Sequence, residues 1–147
     1  MTLRDRLNEE MKGAMKARDE LRLSAIRLIR SSVKNREIEL RRDLSEQEVI
    51  EVVATLVKQR RESIRMFGEA GRADLVEKEE KELALLLEFL PQQLARDEVE
   101  ALVVKAIAES GAQGARDMGK VMKALIPAVA GKADGSLVSA IVKEKLA

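Results

Sequence analysis

The chain of 147 residues contains no cysteine, histidine, tryptophan or tyrosine, and only two phenylalanines. The absence of cysteine and histidine excludes disulfides, thiolate zinc sites, cysteine nucleophiles and imidazole acid–base catalysis. The scarcity of aromatic rings removes the stacking platforms that binders of single-stranded nucleic acids use. Any nucleic acid would therefore be contacted through its backbone and its folded shape.

Long apolar runs are also missing. No stretch of about 18 apolar residues occurs, and the first residues form a charged amphipathic segment rather than an apolar signal core. We therefore expect a cytoplasmic, soluble protein that does not associate with membranes. The 27 basic residues are balanced by 26 acidic ones, so the net charge of +1 indicates no particular partner, and the positions of the charges must be considered instead.

The composition favours helices. Apolar residues make up 46% of the chain and charged residues 36%, with eight glycines and two prolines, and no segment alternates with period two. We predict an all-α protein in two domains: an N-terminal bundle of about four helices over residues 1–92, and a small three-helix domain over residues 93–147. On folding, a chain of this length buries about 68–70% of the surface that its unfolded state exposes, and it can do so without disulfides.

Four helices are predicted before residue 92. Thr2 with Asp5, and Ser45 with Glu48, have the spacing of a capping box at the start of a helix, and Pro91 ends the fourth helix. The apolar positions expected to face the core are Leu3, Leu7, Met11 and Met15; Leu23, Ile26, Ile29, Val33 and Leu40; Val49, Val53, Leu56, Ile64 and Phe67; and Leu75, Leu83, Leu86, Leu87 and Leu90.

Three shorter helices are predicted after the proline-containing segment 90–94, where the apolar period restarts. Asp97, Asp117 and Asp134 are the expected cap residues at their starts, and Pro127 and Gly131 are expected to stop the second of them. The predicted inward residues are Val99, Leu102, Val103 and Ile107; Met118, Val121, Met122, Leu125 and Ile126; and Leu137, Val138, Ile141, Val142 and Leu146.

Motifs for catalysis are weak. Residues 114–120 spell a phosphate loop, but Val121 replaces the Ser or Thr that would hold magnesium, and a helix rather than a strand precedes it, so we interpret it as a turn between helices. Ser31 near Lys34 lies within a predicted helix with no glycine-rich oxyanion loop. The interleaved charges of residues 77–82 are typical of a solvated helix face. We therefore expect no catalytic residue, no metal and no cofactor.

Basic residues concentrate on the second predicted helix. Residues 22–42 hold seven Arg or Lys against two Glu. Four of the basic residues fall at increments of three, four and seven and so share one face of the helix: Arg27, Arg30, Lys34 and Arg41. Such a row suits phosphate groups. The alternative is that these charges only solvate the surface.

The third predicted helix carries a similar row, Lys58, Arg61 and Arg65, away from its apolar face. Arg60 instead falls among the apolar positions. A guanidinium there needs a partner, so we expect it to pair with a carboxylate of a neighbouring helix or to extend to the surface.

A second group of candidate nucleic-acid contacts lies near the carboxyl end. Arg116, Lys120 and Lys123 have spacings of four and three, which place them on one helical face, and Lys132 follows in a glycine-containing turn. Asp117 is the one acidic residue nearby. Ammonium groups beside a helix N-terminus can meet phosphates of a nucleic-acid backbone. The alternative, as for the second predicted helix, is that these charges only keep the surface hydrated and bind no nucleic acid.

Several of these segments resemble a known family. Residues 118–123 (MGKVMK), 131–135 (GKADG) and 137–138 (LV) are similar to the tail domain of the B subunit of glutamine-dependent tRNA amidotransferases. With segments 15–18, 58–63, 70–72 and 90–94, the chain resembles the stand-alone GatB/YqeY family from end to end. The resemblance implies an all-helical fold with an N-terminal bundle and a smaller C-terminal domain.

The resemblance also implies a function. In the amidotransferase the tail domain helps to recognise tRNA, while other domains activate the misacylated end and handle ATP and ammonia; the family is grouped under carbon–nitrogen ligase activity with glutamine as amido donor. This chain has no ATP site and no glutaminase nucleophile, so we expect no catalysis by the chain alone. A role in contacting tRNA transfers only to Lys120, Lys123 and Lys132, whereas Arg27, Arg30 and Lys34 depend on the charge argument.

Three hypotheses follow. The first is a helical adaptor that binds tRNA or a tRNA-processing complex, such as amidotransferase subunits or an aminoacyl-tRNA synthetase, through phosphate contacts. The second is participation in the amidation of misacylated tRNA together with partner subunits. The third is a protein–protein interaction module that binds no RNA.

Overall fold

A computed structural model describes all residues, 1–147, as seven α-helices with no strand. The predicted all-α class is confirmed. The helices are α1 (Leu3–Ala17), α2 (Glu20–Leu40), α3 (Glu46–Glu69), α4 (Ala73–Leu87), α5 (Arg96–Ser110), α6 (Met118–Val129) and α7 (Gly135–Leu146). A single 3₁₀ turn, Ala115–Asp117, precedes α6. None of the helices has the length and apolar character needed to cross a bilayer.

Local capping explains where several helices begin. At α1 the Thr2 hydroxyl accepts a hydrogen bond from the Asp5 N–H at 3.1 Å, and the Asp5 carboxylate accepts from the Thr2 N–H at 3.2 Å. Ser45 and Glu48 form the same reciprocal pair at the start of α3. Both predicted capping boxes are confirmed, and each satisfies two backbone donors that the first helical turn leaves free. Asp134 caps α7 as predicted, accepting from the Ser136 N–H at 3.1 Å.

Two other predicted caps are wrong. The helix α5 begins one residue before Asp97, because Glu98 supplies the capping carboxylate from inside the helix and accepts from the Ala95 N–H at 3.0 Å. Asp117 stands at the N-terminal position of α6, but its carboxylate accepts from the Gln113 N–H at 2.9 Å. No side chain therefore caps the first turn of α6.

Of the two residues expected to stop the sixth helix, Pro127 does not do so, because α6 continues to Val129. A proline at this point removes one N–H donor from the last turn, and the next bond, from the Ala130 N–H to the Ile126 carbonyl, forms at 3.0 Å. Helix α6 ends where Ala130 leaves the helical conformation with ψ 121°, and Gly131, the second residue expected to stop the helix, follows in a left-handed conformation with φ +72°.

The buried faces follow most of the predicted apolar positions, with two clear errors. Met15 is 54% exposed, while its neighbour Ala14 is buried, so the inward face of α1 passes through Leu3, Leu7 and Ala14. Ile126 is 57% exposed, because the buried positions of α6 are Val121, Leu125 and Val129. In both helices, one of the apolar residues that were expected to face the core is exposed instead.

The chain divides into two compact units, Met1–Leu90 and Pro91–Ala147, each with its own buried cluster. Residues of α1 to α4 form the first core, in which Ile26, Ile29, Val53, Leu86 and Phe89 are almost completely buried. Residues of α5 to α7 form the second, which contains Val99, Val103, Val121, Val138 and Ile141. The division into domains 1–92 and 93–147 stays a prediction.

Arg60 pairs with carboxylates of a neighbouring helix, which is the first of its two predicted alternatives. Its guanidinium lies 3.0 Å from the Glu79 carboxylate and 3.2 Å from that of Glu82, both on α4, and all three side chains are largely buried. Only the contact with Glu79 has the geometry of a hydrogen bond. The arginine on the apolar face of α3 therefore links this helix to α4.

Candidate nucleic-acid interface

Helix α6 presents lysines on the side opposite to its buried residues. Val121 and Leu125 point into the core of the second unit, and Lys120 and Lys123 are both exposed. At about 100° per residue, Lys123 lies about 160° around the helix from both core positions, and Lys120 lies about 100° from Val121 and about 140° from Leu125. The helix contains no acidic residue, and no side chain caps its first turn. The 3₁₀ turn continues into the helix, and the Met118 N–H donates to the Ala115 carbonyl, so the two exposed lysines are the groups that this helix offers to an anion.

Arg116 does not belong to this helix. It is exposed in the 3₁₀ turn Ala115–Asp117, which precedes α6. Because a 3₁₀ turn advances by about 120° per residue, the spacing of four residues to Lys120 does not give one continuous helical row. The prediction that Arg116 shares a helical face with Lys120 and Lys123 is wrong. The turn does confirm the interpretation of segment 114–120 as a connection between helices.

Lys132 extends from a loop that is held by hydrogen bonds of the backbone. Its carbonyl accepts from the Leu94 N–H at 2.8 Å, and its own N–H donates to the Val129 carbonyl at 2.8 Å. The side-chain amide of Gln93 donates to the Gly131 carbonyl at 2.8 Å. The loop is thus fixed while the Lys132 side chain remains exposed. Sequence reasoning missed the role of Gln93, although segment 90–94 was among those that carry the family resemblance.

The acidic residues near these cations are engaged elsewhere. Residues 111–147 hold six Arg or Lys and three Asp or Glu. Asp117 and Asp134 accept hydrogen bonds from backbone N–H groups, and Glu144 pairs with Arg96 at 3.2 Å. None of the four C-terminal cations forms an ion pair: Arg116, Lys120, Lys123 and Lys132. These four cations are therefore free of ion pairs within the protein.

The structure separates the seven basic residues of segment 22–42 into two groups. Three form ion pairs: Arg22 with Glu88 at 3.2 Å, Arg36 with Glu39 at 3.0 Å, and Arg42 with Glu48 at 2.7 Å. The other four are the members of the predicted row, which we call the α2 row: Arg27, Arg30, Lys34 and Arg41. All four are exposed and none forms an ion pair. Arg27, Arg30 and Lys34 lie within α2, whereas Arg41 follows the last helical residue in a left-handed conformation with φ 57°, so the prediction that Arg41 continues this helical face is wrong.

The predicted row on α3 is interrupted. Arg65 pairs with Glu62 and, at 2.8 Å, with Glu69 on the same helix. These hydrogen bonds raise the pKa of Arg65 and lower the pKa of Glu62. Only Lys58 and Arg61 remain unpaired, so this face is a weaker candidate than the α2 row.

An ion pair with a structural role stands between α2 and α3. The Arg42 guanidinium donates to both oxygens of Glu48, at 2.7 and 2.8 Å, and the Ser45 N–H donates to the same carboxylate at 3.0 Å. The Arg42 hydrogen bonds, followed by that of Ser45, lower the pKa of Glu48 to about 2. Arg42 therefore fixes the turn and is not available to a ligand.

Comparison with known proteins gives a consistent family. The model of the family described as Yqey-like protein matches residues 4–146. Three curated relatives are each named "Altered inheritance of mitochondria protein 41, mitochondrial". The protein from Kluyveromyces lactis is 40% identical over 107 residues, which cover 70% of this chain and 57% of the relative.

The other two relatives match shorter stretches. The protein from Lachancea thermotolerans is 38% identical over 95 residues, covering 64% of this chain and 51% of the relative. The protein from Saccharomyces cerevisiae strain YJM789 is 36% identical over 87 residues, covering 58% and 47%. The chain thus spans about half the length of the curated relatives that it matches.

These names correct one expectation from the sequence. A cytoplasmic location was expected because the chain lacks a long apolar segment, whereas the relatives are named as mitochondrial proteins. An apolar run marks secretory and membrane segments, but mitochondrial targeting segments are amphipathic and rich in arginine. The criterion could therefore not separate the cytosol from the mitochondrion.

Proposed function

The chain belongs to the family of Yqey-like proteins, and from this premise we propose that it is a helical tRNA-binding adaptor associated with the glutamine-dependent amidation of misacylated tRNA, without catalysis of its own. One observation carries the proposal. All seven cations expected to contact RNA are exposed and none forms an ion pair, although arginine–carboxylate pairs are common elsewhere in the chain. Unpaired cations can release the counterions of a phosphate backbone, which favours binding.

The site on α6 suits the backbone of a folded RNA. Lys120 and Lys123 lie near the start of α6 and are both exposed, so their ammonium groups are available to phosphates. The chain offers hardly any aromatic ring on which a base could stack. Recognition would therefore depend on the shape of the RNA and on the positions of its phosphates.

The domain organisation is part of the proposal. We propose a four-helix N-terminal domain over residues 1–92 and a three-helix domain over residues 93–147 that corresponds to the amidotransferase tail. The separate buried clusters of the two units support it. The second domain would carry the tRNA contacts, and the α2 row of the first would add electrostatic attraction.

The direct test replaces the three lysines that the family resemblance supports. The variant Lys120→Gln/Lys123→Gln/Lys132→Gln should bind tRNA more weakly at low salt and show less loss of affinity as salt is raised, because phosphate contacts are removed. A matched control, Lys105→Gln/Lys143→Gln/Lys145→Gln, removes the same charge from exposed positions on α5 and α7. Equal affinities of the two variants at two salt concentrations would refute the site.

The association with amidation has its own test. Addition of the protein to a limiting, reconstituted glutamine-dependent amidotransferase should change the rate of amidation or the affinity for misacylated tRNA. If neither quantity changes, the proposed association is wrong, whereas the binding of tRNA is tested independently by the lysine variants.

A protein–protein interaction module is the second candidate function. It is favoured by two exposed apolar side chains in the second unit, Ile126 at 57% and Val104 at 53% exposure. Capture of a protein partner that survives nuclease treatment and is lost in Ile126→Ser would favour this function over RNA binding.

A further inference from the structure

A groove of about 530 Å³ in the first unit includes Arg30 and Lys34 of the α2 row and lies outside the proposed tRNA contacts of the second unit. It runs between α1 and α2, and its buried apolar side chains come from Leu7, Val33 and Val49. Its other lining residues are polar or charged: Arg4, Asn8, Arg30, Ser31, Lys34, Asn35 and Glu37. A volume of this size is typical of sites for small molecules.

The groove carries an excess of two positive charges. Its single acid, Glu37, accepts hydrogen bonds from the Leu44 N–H at 2.9 Å and from Arg4 at 2.8 Å. These two donors lower the pKa of Glu37, so the carboxylate stays ionised and paired. Arg4 and Glu37 therefore cancel, which leaves the charges of Arg30 and Lys34.

The remaining donors lack strong acceptors in the protein. Arg30 directs one N–H to the sulfur of Met11 at 2.7 Å, and a thioether is only a weak acceptor. Lys34 forms no ion pair, and no hydrogen bond to the protein is made by the side chains of Asn8, Ser31 or Asn35. Five side chains with donors thus line one groove, and none is bound to an oxygen of the protein.

We infer that this groove binds a phosphate monoester through Arg30 and Lys34, with the apolar part of the ester against Leu7 and Val33. A phosphate monoester carries a charge of about −1.5 to −2 at pH 7, which matches the excess of two, whereas an internal phosphodiester carries only about one. The fork of a guanidinium and the point charge of an ammonium both suit its oxygens. The inference does not depend on the proposed function. A free organic phosphate and the terminal phosphate of an RNA share this chemistry.

The first experiment compares two probes by ¹⁵N-resolved NMR. Phenyl phosphate is the monoester, and methyl phenyl phosphate is the matched diester of lower charge. At pH 7.5 the monoester should shift the side-chain amide signals of Asn8 and Asn35 and bind about tenfold more tightly than the diester. At pH 5 this preference should shrink, because the monoester gains a proton with a pKa near 6. The chain has no histidine, so no side chain with an ordinary pKa in this range complicates the result.

Variants locate the site. Arg30→Gln/Lys34→Gln should weaken monoester binding about tenfold or more, since each charge-assisted hydrogen bond contributes on this scale. The control Lys12→Gln/Arg18→Gln removes one lysine and one arginine from exposed positions of α1 and the residue that follows it, outside the groove and outside the α2 row. It should bind the monoester as the parent protein does. Equal losses in the two variants would overturn the inference in favour of general charge attraction.

A further pair of probes identifies the source of the phosphate. A short RNA with a 5′-phosphate is compared with the same RNA bearing a 5′-hydroxyl. A preference for the phosphorylated RNA that Arg30→Gln/Lys34→Gln abolishes assigns the groove to RNA ends, and binding of phenyl phosphate without such a preference assigns it to small esters. Absence of groove-dependent binding for both probes refutes the inference. The Lys120, Lys123 and Lys132 variant should retain monoester binding, so failure of the tRNA proposal is distinguishable.

Discussion

The two units of the molecule use their charged residues differently. The first unit, Met1–Leu90, holds nineteen basic and nineteen acidic residues, and its arginines link consecutive helices, as Arg4 does with Glu37 and Arg60 with Glu79. The second unit as a whole holds eight basic and seven acidic residues, but its segment from residue 111 onward has six basic and three acidic ones, and Lys120 and Lys123 form no ion pair.

This difference follows the chemistry of the two side chains. The planar guanidinium of arginine binds a carboxylate with two parallel hydrogen bonds, whereas lysine is a flexible, strongly hydrated point charge. Arginine therefore dominates the structural pairs, and lysine dominates the free cations of the second unit. The net charge of +1 gives no indication of this difference between the paired arginines and the unpaired lysines.

The largest expected effect tests the two cores. Ile29→Ala in the first unit and Ile141→Ala in the second each remove a fully buried side chain. Each should lower the free energy of unfolding of its own unit by about 2–5 kcal/mol, because apolar contacts are lost and a cavity remains. Calorimetry of both variants should show a different transition moving in each. A single transition that moves equally in both would contradict the proposed pair of domains.

A smaller effect is expected for the structural arginine of α3. Arg60→Ala leaves Glu79 and Glu82 without their cation in a largely buried position, which should cost about 1–3 kcal/mol in urea unfolding. The exposed Arg65 on the same helix provides the control, and Arg65→Ala should cost less than about 1 kcal/mol. Equal costs would mean that burial does not distinguish the two arginines.

Alanine substitution of one helical glycine in each unit tests the comparison between the units further. A Cβ atom at Gly13 of α1 or at Gly119 of α6 would meet no atom within 4 Å. Substitution by alanine should therefore stabilise either helix by about 0.5–1 kcal/mol in thermal unfolding. If an RNA backbone approaches α6 closely, only Gly119→Ala should also weaken tRNA binding. Unchanged tRNA binding in Gly119→Ala would exclude a close approach at this glycine.

The smallest effect concerns acid stability. The pKa of Glu48 is lowered to about 2 in the folded protein from an ordinary value of 4.5. A lowered folded pKa gives a stabilisation that is complete above about pH 4.5 and is lost as the pH falls towards 2. The difference in melting temperature between the parent protein and Glu48→Gln should therefore be constant from pH 5 to 7 and shrink below pH 4.5. A difference that persists undiminished at pH 2.5 would contradict the assigned cause.

The predictions from sequence succeeded where the signal is local. The capping boxes at Thr2 and Ser45 involve residues three positions apart, and the part of the α2 row that lies within α2 depends only on the helical period. Errors arose where other parts of the chain decide the outcome. Ile126 is exposed because the second core is already filled by other residues of α6, and Asp117 is engaged by Gln113 rather than by its own helix.

The groove between α1 and α2 could not be predicted from the sequence. It requires two helices to lie side by side, and its net charge depends on the pairing of Arg4 with Glu37, which are 33 residues apart. Nothing near Lys34 in the sequence indicates that Glu37 is already engaged. The unpaired state of Lys120 could likewise be proposed from spacing but required the positions of the nearby acids.

The most direct test of RNA contact by the unpaired cations compares the chemical reactivity of each lysine in the presence and absence of tRNA. The protein is treated with an amine-acetylating reagent with and without tRNA, and modification of each lysine is quantified by mass spectrometry. Our account predicts that tRNA protects Lys120, Lys123 and Lys132, whereas Lys143 and Lys145 of α7 react as before. Equal protection of all five lysines, or protection of the α7 pair alone, would contradict it.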